Sequence, residues 1–265
     1  MSGVDLTHGH LLGGRISYSQ PRTGYRTGIE PVFLAAAVPA RPGERVLEGG
    51  TGAGAGLLCL AARISGVTGL GLEIEPAMAA IAARNFAEND TNNGTDNEFR
   101  GLAVRTADLR DLASLRDLSA GFDHAMANPP WHAVEGTPSP EPLRQRAKVA
   151  PAGLIAAWIV ALGRCLRLRG SLTLILPPRA LPEALAVLPE AGLGSPLLFP
   201  LWPRAGEAAR LMLLQAQRGG RSDCRILPGL ILHEGAGYTP AATAVLRAGA
   251  ALDLSAARWS NSMSL

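Results

Sequence analysis

The segment Arg45-Val46-Leu47-Glu48-Gly49-Gly50-Thr51-Gly52-Ala53-Gly54 joins a short apolar strand to an apolar helix through a run of glycines. Glycine adopts positive φ without steric cost, and it lets a ligand approach the backbone closely. In an open α/β sheet, ligands bind beyond the carboxyl ends of the strands, next to turns of this kind. The segment therefore predicts an α/β domain with a small-molecule site where its first strand meets its helix.

Outward from this turn, short apolar runs of strand length alternate with longer apolar runs. The predicted strands are residues 45–48, 67–72, 102–106, 122–127, 171–176, 197–201, 209–216 and 225–232. The predicted helices are residues 31–38, 55–64, 76–88, 151–166, 180–188 and 240–252, and the polar stretch 89–98 is predicted to be a surface loop. Such alternation is typical of a parallel sheet that is covered by helices on both faces. We expect a doubly wound, mostly parallel sheet.

The chain contains no internal repeat and no low-complexity linker, so we expect one domain over residues 1–265. Residues 41–218 form its predicted core, and seven of the strands lie there. Residues 1–40 are expected to flank the ligand and substrate sites. Residues 219–265 are expected to add one strand and one helix as a C-terminal extension.

The composition indicates a folded protein with a sizeable core. Hydrophobic residues make up 47% of the 265 residues, and the mean hydropathy is +0.15, which excludes wholesale disorder. No apolar run reaches the roughly 18–20 residues of a membrane span; the longest candidate, 155–166, contains Arg164. The N-terminus lacks the basic-then-apolar pattern of a signal peptide. These features predict a cytoplasmic location.

The charge is mildly basic, with a formal net charge of +3 and Lys148 as the single lysine. Arginine suits phosphate contacts and stacking on bases, but the same bias is typical of a GC-rich genome, so the charge only weakly favours an anionic partner. Cys59, Cys165 and Cys224 are far apart and have no metal-ligand or disulfide spacing. We expect buried, reduced thiols and no metal site.

Acidic residues follow or end three successive predicted strands. Glu48 directly precedes the glycines, where its charge would repel a pyrophosphate but attract a cation. S-adenosylmethionine carries a sulfonium and an ammonium group and no phosphate, so it is favoured over a dinucleotide. Glu73 can accept hydrogen bonds from ribose hydroxyls in either case. Asp108 is placed to accept from an adenine amino group, or alternatively to cap a helix over residues 109–118.

The motif Asn128-Pro129-Pro130-Trp131 follows the fourth predicted strand. The asparagine offers a carbonyl acceptor, the prolines restrict the backbone, and the Trp131 ring can stack on a flat heterocycle. Together they suit the binding of a planar group that carries an amine. A purely structural rigid turn, with the aromatic side chain anchored in the core, would have the same sequence pattern. His132 is either a nearby base or a solvated loop residue. With the acidic strand ends beside it, the motif predicts methyl transfer to an exocyclic amine.

These motifs resemble the class I S-adenosylmethionine-dependent methyltransferases, and within them the amino-methyltransferases with an Asn/Asp-Pro-Pro-aromatic motif. The segment Gln20-Pro21-Arg22-Thr23-Gly24-Tyr25-Arg26-Thr27-Gly28-Ile29-Glu30 is similar to the opening of the tRNA1(Val) adenine-N6-methyltransferase family. Residues 233–240, His-Glu-Gly to Tyr-Thr-Pro, are similar to that family's ending. The chain departs from the pattern at Trp131, where tyrosine is usual, and in its unusually glycine-rich loop.

The resemblance implies a Rossmann-like methyltransferase fold with a seven-stranded sheet and S-adenosylmethionine as cofactor. The residues implied to bind the cofactor lie at the strand ends and in the N-terminal segment: Thr27, Gly28, Glu48, Gly50, Gly52, Gly54, Glu73, Ile74, Asp108, Leu109 and Asn128. Glu48 and the three glycines would line the methionine and sulfonium side, and Glu73 would bind the ribose. Thr27 and Gly28 would close over the methionine end. The implied catalytic residues are Asn128, Pro129, Pro130 and Trp131.

The resemblance also implies an RNA substrate, most simply a tRNA, and a monomer is favoured. The predicted phosphate contacts are the basic residues expected to flank the Trp131 pocket: Arg22, Arg26, Arg144, Arg146 and Lys148. A solvated charged loop would have the same composition.

Three other functions use parts of the same pattern. Protein glutamine methyltransferases share the core but carry an N-terminal helical domain, and only about 40 residues precede the first predicted strand here. Methyltransferases that modify the guanine 2-amino group of ribosomal RNA often carry an additional domain, which we also do not expect. A cofactor-binding RNA assembly factor without catalysis is a further alternative, against which the intact Asn128 and the glycines count.

Overall fold

A computed structural model of the chain describes residues 4–24, 26–92, 99–130 and 153–255. In chain order its strands are β1 (Leu6–Leu11), β2 (Ile16–Pro21), β3 (Arg45–Gly49), β4 (Thr68–Glu73), β5 (Leu102–Thr106), β6 (Phe122–Ala127), β7 (Leu166–Leu176), β8 (Leu193–Trp202), β9 (Leu211–Arg218), β10 (Arg225–Ile226), β11 (Leu230–Ile231), β12 (His233–Glu234) and β13 (Gly237–Tyr238). Its α-helices are α1 (Glu30–Ala37), α2 (Ala55–Arg63), α3 (Pro76–Asn92), α4 (Leu154–Cys165), α5 (Leu181–Val187) and α6 (Pro240–Thr243).

The central sheet has the strand order β10-β8-β9-β7-β6-β3-β4-β5, and β11 also pairs with β8. Strands β5, β4, β3, β6 and β7 run parallel, whereas β9 pairs antiparallel with both β7 and β8. The chain therefore winds outward from β3 in one direction and then from β6 in the other. This confirms the predicted doubly wound, mostly parallel sheet, and its seven longer strands are the seven expected in the core.

The two faces of the sheet pack against different helices. Neighbouring residues of β3 belong to different apolar clusters, because successive strand side chains point to opposite faces. Val46 packs with α1, α2 and both ends of the described chain. Leu47 packs with α4 and α5. Both faces are therefore covered, as a parallel sheet requires.

An antiparallel hairpin, β1–β2, precedes the core and was not predicted. Two asparagines of α3 hold it. The Asn85 side chain donates to the carbonyl oxygens of Ser19 and Ala53 and accepts from the Ser19 amide, all within 2.8–3.0 Å. Asn89 makes the corresponding pair of bonds with the Ser17 backbone. The surface loop predicted for 89–98 was wrong at its start, because Asn89 is helical and 1% exposed.

The C-terminal extension is more broken than expected. The predicted strand 225–232 is two short strands, β10 and β11, separated by a turn in which Pro228 accepts from the Trp202 indole and Gly229 has a φ of +80°. Proline cannot donate to a ladder, which explains the break. The predicted helix 240–252 is α6 followed by a π-helical turn (Ala244–Ala248) that ends at Gly249.

The cysteines are free, and Cys59 and Cys165 are buried as expected. Cys224 is exposed, so its predicted burial was wrong; it directly precedes the short edge strand β10, whose Ile226 is also exposed. Among the residues that the structure describes, no helix has both the length and the apolar run that a membrane span requires.

Replacing Asn85 with alanine tests the attachment of the hairpin. The substitution leaves the Ser19 amide and two carbonyl groups without their side-chain partner in a fully buried position. We expect the free energy of unfolding to fall by about 3 kcal/mol in urea denaturation. Thr91→Ala, at an exposed position of the same helix, should cost less than about 0.5 kcal/mol. Equal losses in the two variants would contradict the structural role of Asn85.

Candidate functional site

Strand pairing brings the candidate residues to one edge of the sheet. Gly49, the last residue of β3, pairs with Leu72 of β4 and with Ala127 of β6. At these strand ends lie the glycine turn after β3, Glu73 as the last residue of β4 with Ile74 after it, and Asn128 with its prolines after β6. The end of β5 joins the same row, because the Ala107 amide donates to the Glu73 carbonyl oxygen over 2.9 Å. These strand ends therefore lie where the winding direction of the sheet reverses, which is the usual ligand position in such sheets.

The glycine turn adopts conformations that favour glycine. Gly50, Gly52 and Gly54 have φ values of +65°, +56° and +89°. A Cβ atom at Gly54 would lie 2.9 Å from Phe86 Cζ, so a side chain there would collide with α3. At Gly52 nothing lies within 4 Å of the Cβ position. The turn is thus tightly packed on its α3 side at Gly54 and open at Gly52, where a ligand could contact the backbone.

Glu48 lies beneath this turn. Its carboxylate is 4% exposed and accepts hydrogen bonds from the Thr51 hydroxyl at 2.5 Å and from the Leu57 amide at 3.3 Å. Burial raises the pKa of Glu48 to about 7. A Cβ atom at Gly56 would overlap the same carboxylate, so glycine is needed there for close packing. The carboxylate thus holds the turn against the start of α2, and its predicted contact with a ligand stays a prediction.

Glu73 lies at the end of β4, and its side chain is hydrogen-bonded to backbone amides. One carboxylate oxygen accepts from Gly52 of the glycine turn at 2.9 Å, and the other accepts from Glu75 at 3.0 Å. Burial raises the pKa of Glu73 from its ordinary value. The next residue, Ile74, is apolar and 50% exposed. An acidic acceptor and an apolar surface therefore lie side by side, as a ribose and an adjoining flat ring would require.

Asp108 follows β5 and does not cap a helix. Residues 109–115 form turns and bends, and a 3-10 turn follows at Arg116–Leu118. The Asp108 carboxylate accepts from the Arg110 guanidinium at 2.7 Å, and this hydrogen bond lowers the pKa of Asp108. The neighbouring Leu109 is buried and lies against Gly49. The alternative of a helix over 109–118 was therefore wrong.

The N-terminal segment is tied to the hairpin. The Thr27 amide donates to the Gln20 side chain at 2.9 Å, and the Thr27 hydroxyl hydrogen-bonds the Tyr18 hydroxyl at 2.7 Å. Gly28 follows and is exposed. Because Asn85 links β2 to Ala53 of the glycine turn, these residues are connected to the candidate site through the hairpin.

The Asn-Pro-Pro turn, residues 128–130, begins directly after β6 and is called the acceptor turn. Asn128 and Pro130 are half-buried, and Pro129 is buried. Trp131, His132, Arg144, Arg146 and Lys148 lie outside the described residues, so their roles stay predictions. Of the two remaining basic candidates, Arg22 is exposed and forms an ion pair of 2.7 Å with Asp5, and Arg26 is exposed.

Sequence reasoning missed three residues around this edge. Asn85 and Thr51 hydrogen-bond to the glycine turn or within it. Trp158 of α4 places its ring against Gly50, so that a Cβ atom there would lie 2.9 Å from Trp158 Cζ3. An asparagine within a helix and a tryptophan 108 positions after the turn give no local signal. Only the folded arrangement brings them to the site.

A separate cavity of about 320 Å³ lies away from this edge, between residues 112–119 and the C-terminal half of α4. Arg116 and Arg164 are among its lining residues, and both precede strands at the amino-terminal edge of the sheet. Its lining includes none of the predicted site residues. In the described ranges, no three His, Cys, Asp or Glu side chains come together as a metal site would need.

Curated proteins of known name are similar to much of the chain. A tRNA1(Val) (adenine(37)-N6)-methyltransferase of Shewanella baltica (strain OS195) is 26% identical over 191 residues, which are 72% of this chain and 76% of that protein. A protein of the same name from Shewanella sediminis (strain HAW-EB3) is 27% identical over 173 residues, covering 64% and 67% respectively. No protein-family model matches the chain.

Among solved structures, a predicted O-methyltransferase from Agrobacterium tumefaciens superposes with a TM-score of 0.69 at 25% identity, covering 84% of this chain and 98% of that one. The Rossmann-like methyltransferase fold expected from the sequence is thereby confirmed. The resemblance to the tRNA1(Val) adenine-N6-methyltransferases is confirmed by the curated relatives.

The buried Glu48 predicts a pH-dependent stability. Its pKa in the folded protein is about 7, above the ordinary value of 4.5, so the folded state binds more protons between these values. The free energy of unfolding should therefore fall as the pH rises through this window. Glu48→Gln removes the titration while keeping the shape. Relative to the wild type, this variant should gain up to about 3 kcal/mol between pH 5 and pH 8 in urea denaturation.

The matched control for this experiment is Glu190→Gln, which changes an exposed carboxylate. Its stability difference from the wild type should be the same at both pH values. A Glu48→Gln difference that also stays constant with pH would show that the folded protein keeps the carboxylate ionised throughout.

Proposed function

We propose that this chain is an S-adenosylmethionine-dependent methyltransferase that methylates an exocyclic amine, namely the 6-amino group of an adenine in tRNA. One observation carries the proposal. Ala127 of β6 pairs with Gly49 of β3, so the first residue of the Asn-Pro-Pro turn and the first glycine after β3 follow directly from paired strand ends. An amide acceptor for an amine and an open backbone turn for a cofactor thus lie side by side.

The described residues fit S-adenosylmethionine. Gly52 leaves the turn open to close contact, and Glu73 offers two carboxylate oxygens at the next strand end. Ile74 supplies an exposed apolar surface, and Asp108 supplies an acceptor at the end of β5. These residues would hold the sugar and the ring of the cofactor. The Glu73 carboxylate, which accepts from the Gly52 amide of the turn, also occupies a backbone donor that a pyrophosphate would use.

When bound, S-adenosylmethionine supplies an electrophilic methyl group on a sulfonium. The role of the protein's own residues is to prepare the amine for attack. An aromatic amine is a poor nucleophile because its lone pair is delocalised into the ring. The Asn128 side-chain oxygen and the Pro129 carbonyl oxygen would each accept one amino proton. This favours a pyramidal nitrogen whose lone pair is available for attack.

Proton removal makes little demand on the protein. The nitrogen becomes acidic once it is methylated, so its proton can leave to water. The prolines serve orientation instead: Pro129 restricts Asn128 to extended backbone, and Pro130 does the same to Pro129. Because the proton can leave to water, a strong general base is unnecessary, and His132 stays a candidate for an auxiliary base.

The RNA part of the proposal is supported by the names of the relatives and by the chemistry of the acceptor motif. Both curated relatives are named as tRNA adenine-N6-methyltransferases. A base in a single-stranded loop leaves its stack at low cost, and an aromatic side chain can stack on it. Trp131 would provide this surface, and the predicted basic residues Arg144, Arg146 and Lys148 would contact phosphates.

Other acceptors remain as alternatives. The structural relative is named a predicted O-methyltransferase, but a hydroxyl has one proton, whereas Asn128 and Pro129 offer two acceptors that match an NH2 group. A protein glutamine amide and a guanine 2-amino group of ribosomal RNA also carry NH2. A non-catalytic assembly factor would need the glycine turn for its cofactor, but it would not need the two acceptors of Asn128 and Pro129 for an amine.

Labelled S-adenosylmethionine tests the proposal when it is incubated separately with total tRNA, ribosomal RNA and cell protein. We expect label in tRNA, and nucleoside analysis should identify N6-methyladenosine. Asn128→Ala should lower kcat by about 100-fold or more, because an acceptor for the amino proton is lost. Asn128→Asp keeps an acceptor oxygen at the same position and should lose less activity than the alanine variant.

Distinct outcomes would overturn distinct parts of this proposal. Label only in protein would replace the RNA substrate with a glutamine amide, and 2′-O-methylated nucleosides would replace the amine with a hydroxyl. Equal activity of the wild type and Asn128→Ala would remove the proposed role of Asn128 in binding the amine.

The predicted phosphate contacts lead to a second experiment. Arg144→Ala/Arg146→Ala should bind tRNA more weakly, and the slope of log affinity against log salt should become shallower by about 1 to 2. Arg116→Ala/Arg164→Ala removes the same charge at the amino-terminal edge of the sheet, away from the candidate site, and should change the slope much less. The same affinity and slope in both double variants would mean that residues 144–146 do not contact phosphate.

A further inference from the structure

Trp158 lies against Gly50, the first residue of the glycine turn after β3. Gly50 directly follows β3, has a φ of +65° and is half-buried. The outer edge of the Trp158 six-membered ring, atoms Cη2, Cζ3 and Cζ2, comes closest to the side of Gly50 where a Cβ atom would be. Asn128 occupies the equivalent position after the neighbouring strand β6. The indole therefore reaches the same edge as the glycine turn and the acceptor turn.

The position of Trp158 is fixed by its helix. Ile155, Ile159 and Leu162 are buried on the same face of α4, at the spacings that place helical residues on one side. Leu162 also lies against Gly49, with both terminal methyl groups 3.3 Å from the Cβ position. At the start of the helix, the Ala156 amide donates to the Glu183 carboxylate of α5 at 3.2 Å. The ring is thus carried on a well-anchored element.

Although its helix is anchored, Trp158 is not fully covered. It is half-buried, whereas the two apolar side chains that lie against Gly49, Leu109 and Leu162, are fully buried. Ile74, which directly follows β4, is a predicted cofactor contact, and its apolar side chain is also partly exposed. Trp158 thus combines contact with Gly50 and the core with a part of its ring that is left open at the glycine turn.

We infer that Trp158 contacts the bound cofactor and forms an aromatic wall of its site beside Gly50. The inference rests on the proposed use of S-adenosylmethionine and adds a residue that the sequence motifs do not include. An indole offers a large apolar surface with few rotatable bonds, so it binds a ligand with little loss of conformational freedom. Its electron-rich face also suits a ligand that carries a positive charge.

The test is calorimetric titration with S-adenosylhomocysteine. Trp158→Ala should raise Kd about tenfold relative to the wild type, and Trp158→Phe, which keeps an aromatic surface, should raise it about threefold. In methyl transfer the KM for S-adenosylmethionine should rise more than kcat falls. Trp202→Phe is the matched control: Trp202 hydrogen-bonds Pro228 at the edge of the sheet, and its substitution should leave Kd unchanged.

A second measurement keeps Trp158 in place, in case the alanine variant does not fold. The chain has four tryptophans, so Trp131→Phe/Trp202→Phe/Trp259→Phe leaves Trp158 as the single emitter. S-adenosylhomocysteine should then reduce the acrylamide quenching of Trp158 about twofold, because the ligand covers the exposed ring.

The outcomes separate this inference from the proposed function. If the wild type binds S-adenosylhomocysteine but Trp158→Ala binds equally well, or quenching of the lone Trp158 does not change, the inference is overturned and the proposed function stands. If the wild type itself does not bind, the cofactor assignment fails and the inference fails with it.

Discussion

The pairing of β3 with β4 on one side and with β6 on the other determines where the glycine turn, Glu73 and Asn128 lie. Gly49 is in register with both Leu72 and Ala127, so the three strands end within one residue of each other and their last and following residues form one edge. A shift of one residue in either pairing would move the glycine turn away from Glu73 or from Asn128. It would also turn Val46 and Leu47 towards the wrong apolar clusters. Burial on both faces thus fixes the register, and the register assembles the site.

Buried polar groups then hold the parts of this edge together. Glu48 binds the glycine turn from below, Glu73 binds it from the neighbouring strand, and Asn85 binds it from α3. Each group would be costly if left unpaired in the core. Each instead makes at least one hydrogen bond to a backbone or hydroxyl group of the turn. The turn is therefore shaped before a ligand arrives, which lowers the conformational cost of binding.

The parts that could be predicted from the sequence are those with a local signal. The glycine run, the acidic strand ends and the Asn-Pro-Pro motif each identify a strand and its end, and the alternation of apolar runs gave the sheet. Asn89 was assigned to a loop because a run of amide residues usually marks one; the bonds from its side chain to Ser17 arise only after β2 has packed against α3. Trp158 was missed for the same reason, since its contact with Gly50 joins residues far apart in the chain. Cys224 shows the reverse error, because apolar neighbours in sequence do not bury a residue that directly precedes a short edge strand.

The position of Asn85 has a consequence for local opening of the molecule. Its side chain hydrogen-bonds both Ser19 of the hairpin and Ala53 of the glycine turn, so displacement of Asn85 would break the attachment of both segments at once. The two segments should therefore open as one cooperative unit in native-state hydrogen exchange, with the amides of β2 and of the turn sharing a single opening free energy. A ligand seated on the turn would then slow exchange in a hairpin that it does not touch.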